Sequence, residues 1–89
     1  MPTARFRGVL AERVGAQTIA VDGVSVAAAL TNMLSEYPHI REHIVDRSER
    51  LLPHVLLIID GVQTSDRTLL NHSIEKNSEL TFLLAVGGG

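Results

Sequence analysis

The sequence reads as a two-layer α+β domain, with one long helix on one face of a mixed sheet of four to five strands. Three observations carry that reading. Apolar residues recur at every second position near both ends of the chain. Between positions 26 and 37 the period lengthens to that of a helix. A chain of 89 residues buries only about 60–65% of the surface it exposes when unfolded, so there is room for one continuous core and one domain.

The elements follow in order. Over 3–10, Ala4, Phe6 and Gly8 alternate with Arg5 and Arg7, the period of a half-buried strand. Gly15 punctuates, and 17–22 resumes the alternation with Ile19 and Val21 on one face. The stretch is expected to form a hairpin that ends at the turn pair Asp22-Gly23. Val26, Ala29, Leu30, Met33, Leu34 and Tyr37 then fall on one face of an α-helix. Ser25 stands ahead of them as its N-cap, and Pro38 disfavours helical geometry at Tyr37. Because proline also suits a first helical turn, 39–45 is expected to form a second short helix, with Ile40 and Ile44 four apart. The polar stretch 46–50 is a loop.

The run 55–59 is apolar on both faces, the mark of an interior strand. Asp60-Gly61 turns it into a short partner over 62–64. Residues 65–78 read as an irregular connection with one short helical turn. In 79–86, Leu80, Phe82, Leu84 and Val86 alternate with Thr81, Leu83 and Ala85 as a final strand. A helix with one apolar stripe needs a sheet face to cover it. Pairing the first and last strands at the sheet centre is the compact solution, the β-grasp arrangement. The expected division is a β-grasp domain over 1–86 and a flexible glycine tail over 87–89.

Composition narrows the function. With 45% hydrophobic and 20% charged residues, the chain is too apolar to be disordered. The absence of cysteine removes disulfides, thiolate metal sites and a thiol nucleophile. Eight basic against ten acidic residues, with one Tyr and two Phe, suit no general nucleic-acid binder. No apolar run approaches a membrane span and the start lacks a signal segment, so a cytoplasmic protein is expected, with no nucleic-acid or membrane partner. His39-Ile40-Arg41-Glu42-His43 spells an inverted zincin pattern. It lacks a third ligand and an enclosing cleft, and surface histidines on a short helix account for it better. His54 and His72 stand alone, and the serines lie in polar loops without a nucleophile elbow. No catalytic residue and no metal ligand is assigned, and the chain is not expected to be an enzyme.

The C-terminal residues are the most informative. An apolar strand, Phe82-Leu83-Leu84-Ala85-Val86, runs straight into Gly87-Gly88-Gly89. Glycines without a Cβ can thread a channel too narrow for any side chain and carry a carboxylate into another protein's active site. Read alone, the same glycines also fit a frayed end. Together with the order of elements, Val86-Gly87-Gly88-Gly89 resembles the Val-x-Gly-Gly ending of the ThiS/MoaD family of ubiquitin-like sulfur-carrier proteins. The likeness covers essentially the whole chain. The strand 80–86 is similar to that family's closing strand, and 56–61 to its central strand with its Asp-Gly turn. The ending and the insert between Pro38 and Pro53 look most like carriers that serve cysteine, methionine or thioquinolobactin-type sulfur transfer. Leu84 stands where the family often has Pro, and Asn77-Ser78-Glu79 where it often has an Asp-Gly-Asp turn.

The resemblance implies that the protein is a substrate rather than a catalyst. A ubiquitin-activating-type adenylyltransferase, using its own ATP, would adenylate the Gly89 carboxylate. A sulfur donor would displace AMP to leave a thiocarboxylate, and a biosynthetic enzyme would accept the sulfur. No cofactor would be bound by the carrier, and a tail-trimming metalloprotease would act where a precursor is made. Gly87 and Gly88 would thread the channel. Leu83, Leu84, Ala85 and Val86, with Leu57 and Ile59 on the uncovered sheet face, would meet the partner. Three alternatives stay open: a ubiquitin-like modifier conjugated through Gly89, a molybdopterin-synthase small subunit, and a binding module with no terminal chemistry.

Overall fold

The strand nearest the C-terminus holds the sheet together. In a computed structural model that describes residues 1–64 and 72–85, the chain runs β1 (Thr3–Phe6), α1 (Val9–Val14), β2 (Thr18–Ala20), α2 (Val26–Glu36), a 3-10 turn (Pro38–Ile40), α3 (Arg41–Ile44), β3 (Val55–Ile59), β4 (Val62–Thr64) and β5 (Glu79–Leu84). Five strands form one sheet in the order β2-β1-β5-β3-β4. β5 lies at its centre, parallel to β1 and antiparallel to β3. First and last strands therefore pair in the middle of a mixed sheet, the arrangement expected as a compact solution. Parallel neighbours cannot be joined by a tight turn, and the intervening elements supply the crossover.

One face of the sheet shares a single core with the helices. Phe6 and Phe82 are register partners on β1 and β5, their rings stacked with centroids 5.5 Å apart. Leu57 on β3 lies opposite Phe82 from the other side. Val26, Ala29, Met33 and Leu34 of α2 are buried in the same cluster, the stripe that the helical spacing picks out. The Ser25 Oγ accepts the Ala28 N–H at 3.1 Å and so caps α2. At the far end the Tyr37 N–H still donates to the Met33 carbonyl, after which Pro38 opens the 3-10 turn. Ile40 and Ile44, four apart, are both fully buried. Among the described residues no helix is long and apolar enough to cross a membrane.

Gly23 sets how closely the chain approaches α2. Its φ is +155°, and a Cβ there would stand 2.5 Å from the Ala29 nitrogen and 2.8 Å from the Ala29 Cα. Those are backbone atoms of the first helical turn and have no rotamer into which to move. Gly23→Ala is expected to destabilise the domain by about 1–3 kcal/mol, read as a lowered Tm. An unchanged Tm would contradict this packing.

Two sequence expectations need correction. The first twenty residues are not a plain hairpin, because α1 stands between β1 and β2. β1 ends at Phe6, Gly8 turns the chain at φ +59°, and Leu10 and Val14, four apart, are buried beneath a helical turn and a half. Gly15, taken as mere punctuation, is a left-handed C-cap whose N–H donates to the Ala11 carbonyl. Strand alternation through Gly8 to Leu10 imitated a longer β1 because Leu10 is buried in either geometry. The final strand is also shorter than expected. β5 ends at Leu84, Ala85 follows outside it, and Val86 lies outside the described residues.

The hairpin at Asp60-Gly61 is as expected. Asp60 at φ +49° and Gly61 at φ +85° make the two positive-φ residues that a tight two-residue turn between β3 and β4 requires. The Asp60 carboxylate also accepts the Glu79 N–H at 2.8 Å, tying the turn to the start of β5. The connection over 65–78 lies partly outside the described residues. From 72 on, Val26 N–H donates to the His72 carbonyl and Ile74 N–H to the Val24 carbonyl. The Ser78 Oγ then accepts the Glu75 N–H at 2.8 Å, which closes the turn into β5.

Candidate functional site: the end of the central strand

β5 leaves the sheet between β1 and β3, and both neighbours hold it almost to its end. The Arg7 N–H donates to the Phe82 carbonyl at 3.1 Å on one side. On the other, Leu83 and Leu84 stand opposite Leu56 and Val55. One hydrogen bond further, the exposed Ala85 donates its N–H to the His54 carbonyl at 2.7 Å. The chain is thus fixed to the sheet up to the residue before Val86-Gly87-Gly88-Gly89. Those last four, among them the expected attachment point Gly89 and the glycines Gly87 and Gly88 expected to thread, lie outside the described residues.

Strand alternation assigns the remaining candidates to faces. Leu83 is half-buried on the face that no described helix covers. Its register partner there is Leu56, with Ile58 two positions along β3. Across the strip, Arg5 and Glu79 form an ion pair at 3.3 Å, and the Thr81 hydroxyl donates to the Glu79 carboxylate at 3.4 Å. The open face is therefore apolar toward the tail and charged at the opposite end.

Leu57 and Ile59 are not on it. Leu57 is 1% exposed in the core opposite Phe82, and Ile59, of the same parity, packs against that core. Five consecutive apolar residues carry no alternation from which to read parity, and the outward positions are 56 and 58. The signal that identifies them is the hairpin. A two-residue turn at Asp60-Gly61 sets Ile58 opposite Gln63, and a polar Gln63 marks that pair as outward. Leu84 lies at the edge of the core, half-buried.

A groove of about 480 Å³ adjoins the root of the tail, lined by Arg7, Gly8, Val9, Arg13, Leu83, Leu84 and Ala85. It exists because α1 intervenes after β1, so sequence reading, which lacked that helix, had no reason to bring Arg13 or Val9 near the C-terminus. Arg7 does not stand on the strand with Arg5. It lies past the end of β1, exposed.

The histidine motif is engaged elsewhere. The His39 Nε2 lies 3.0 Å from the Val14 carbonyl, an otherwise orphaned acceptor in the last turn of α1. His43 Nε2 stands 3.6 Å from the Glu42 carboxylate. Among the described residues no three His, Cys, Asp or Glu side chains gather as a metal site would need.

No protein-family model and no curated protein matches the sequence. Solved structures do match. SAMP1 from Haloferax volcanii superposes with a TM-score of 0.78 at 23% identity, over 99% of this chain and 98% of its own. A chain of the Amycolatopsis orientalis BexX/CysO complex gives 0.80 at 20% identity, over the whole of both chains. The fold is the ubiquitin-like β-grasp. CysO from Mycobacterium tuberculosis shares it as well, with a TM-score of 0.78 at 21% identity over 97% of this chain and all of its own. The likeness is of the entire β-grasp domain rather than of one motif. In this chain β5, the strand that leads to the terminal glycines, is the centre of the sheet.

Proposed function

We propose that this protein is a sulfur carrier whose reacting group is the Gly89 carboxylate. The observation that carries the reading is the join between fold and tail. The central strand of a ubiquitin-like sheet is hydrogen-bonded on the β1 side as far as Phe82 and on the β3 side as far as Ala85, and the sequence continues from there as Val86-Gly87-Gly88-Gly89. A rigid body that ends in residues without side chains is suited to being gripped by one surface while its terminus reacts within another.

The chemistry follows from the weakness of a carboxylate as an electrophile. A carboxylate oxygen of Gly89 attacks the α-phosphorus of ATP held by an adenylyltransferase, pyrophosphate leaves, and an acyl-adenylate remains. A sulfide or persulfide sulfur then attacks the acyl carbon, the bond to AMP breaks, and a thiocarboxylate is left after any sulfur–sulfur bond is reduced by the donor system. The thiocarboxylate is a sulfur nucleophile that an accepting biosynthetic enzyme can use. No cysteine in the chain competes for the activated terminus. The grip falls to the open sheet face, with Leu83, Leu56 and Ile58, together with Leu84 and Ala85 at the root of the tail. The complex of CysO with BexX is a precedent for a protein of this fold engaging another protein.

A second reading draws on a different neighbour. SAMP1 is a small archaeal modifier protein, and a modifier would use the same acyl-adenylate but pass the acyl group to a target lysine. Both readings are tested by ATP–pyrophosphate exchange with the ubiquitin-activating-type adenylyltransferase of the same organism. Exchange that depends on added carrier is expected. Its absence would leave a β-grasp binding module without terminal chemistry.

A further inference from the structure

The groove beside the tail carries charge of one sign in a protein of the other. The chain has a net charge of −2, yet the seven residues that line the groove include two arginines and no carboxylate. Arg5 and Arg41 are paired with Glu79 and Glu49. Arg7 and Arg13, both exposed, pair with no carboxylate among the described residues. Glu12 is adjacent to Arg13 in sequence, but neighbouring helix positions do not face each other, and it does not line this groove. Beside the two guanidinium groups Val9 is 51% exposed, and Leu84 forms part of the lining.

A groove lined by two unpaired guanidinium groups and an exposed apolar side chain is the complement of a protein surface that sets carboxylates beside an apolar side chain. Guanidinium groups suit bidentate pairing with carboxylates, and seating an apolar side chain against Val9 and Leu84 removes apolar surface from water. A nucleotide's phosphates would meet the arginines but leave Val9 uncovered. Reach argues the same way. Four residues follow Ala85, and at about 3.5 Å each they span at most about 14 Å. With Gly89 at the reacting phosphorus, the groove can stand that far out, at the mouth of the enzyme's channel.

Resting on the carrier reading, we infer that this groove docks an acidic, apolar-centred lip of the adenylyltransferase that takes up the tail, with Arg7 and Arg13 pairing with its carboxylates and Val9 seating its apolar side chain. The site orients the domain and performs no chemistry. Its loss therefore appears in capture rather than turnover.

The test is ATP–pyrophosphate exchange with that adenylyltransferase, measured against carrier concentration at several salt concentrations. The double variant Arg7→Glu/Arg13→Glu is expected to raise the KM for carrier tenfold or more with kcat retained, and to flatten the salt dependence of kcat/KM. Arg7→Lys/Arg13→Lys should keep most of the affinity. Arg47→Glu/Arg50→Glu makes the same change in net charge in the loop after α3 and should leave KM unchanged, which separates a local site from overall charge. Equal KM and salt dependence for the Arg7/Arg13 reversal and the unaltered carrier overturns this inference alone. A change in the KM for ATP instead of carrier also overturns it, by assigning the arginines to the nucleotide. No exchange with the unaltered carrier removes the carrier reading, and this inference with it.

Discussion

Deleting Gly88 and Gly89 is expected to leave the melting transition where it is and to lower ATP–pyrophosphate exchange by more than about a hundredfold. The first half follows from where the core lies. Among the described residues its buried members run from Ala4 to Phe82, and the last side chain packed against them is Leu84. The second half follows from reach. Two residues removed shorten the tail by up to about 7 Å, whereas a reacting carboxylate must come within about 3–3.5 Å of the phosphorus, and misplacement by 1 Å can cost roughly a hundredfold. A Tm that falls with the deletion would make the tail part of the fold. Exchange that persists would move the reacting group away from the terminus.

The second large effect separates the two parities of β3. Leu57→Ala removes a side chain that is 1% exposed against Phe82, and should cost about 2–5 kcal/mol. For a domain of this size that lowers Tm by about 8–40 °C. Leu56→Asp and Ile58→Asp alter half-buried positions on the uncovered face and should each cost about 1 kcal/mol. Their effect belongs to capture, where a carboxylate in an apolar contact should raise the KM for carrier at least tenfold. If Leu57→Ala is mild and Leu56→Asp unfolds the protein, the assignment of faces is inverted. If Leu56→Asp and Ile58→Asp both leave KM unchanged, the open face is not the grip.

Much of this architecture is legible in the residues. The stripe from Val26 to Leu34, the Ser25 cap, the stop at Pro38 and the Asp60-Gly61 turn each follow from local chemistry that the tertiary structure does not override. Strand order is less local. Covering one helical stripe with one sheet face gives the two layers, but no local pattern says which strands pair, and the order does not follow from pattern alone.

What escaped reading escaped for definable reasons. α1 is only six residues long, too short for a period of 3.6 to stand out against alternation that continues through Gly8 and Leu10. Without α1, Val9 and Arg13 had no route to the tail, and the groove they line with Leu84 and Ala85 was invisible. In 55–59 every residue is apolar, so composition says that the strand is interior and nothing about which side is which. The polar Gln63, carried across the hairpin to Ile58, resolves it. The terminal glycines carry the opposite lesson. The role proposed for them is chemical rather than conformational, and it is read from the sequence alone.

The central claim is that Gly89 becomes a thiocarboxylate, and the intact mass of the protein tests it most directly. The carrier is purified from cells that also produce its adenylyltransferase and a sulfur donor, and is weighed beside the form lacking Gly88 and Gly89. The account predicts a gain equal to one oxygen replaced by sulfur, confined to the C-terminal peptide and absent from the shortened form. An unmodified mass under conditions that support exchange, or the appearance of lysine-linked conjugates in place of the sulfur-bearing carrier, would contradict it.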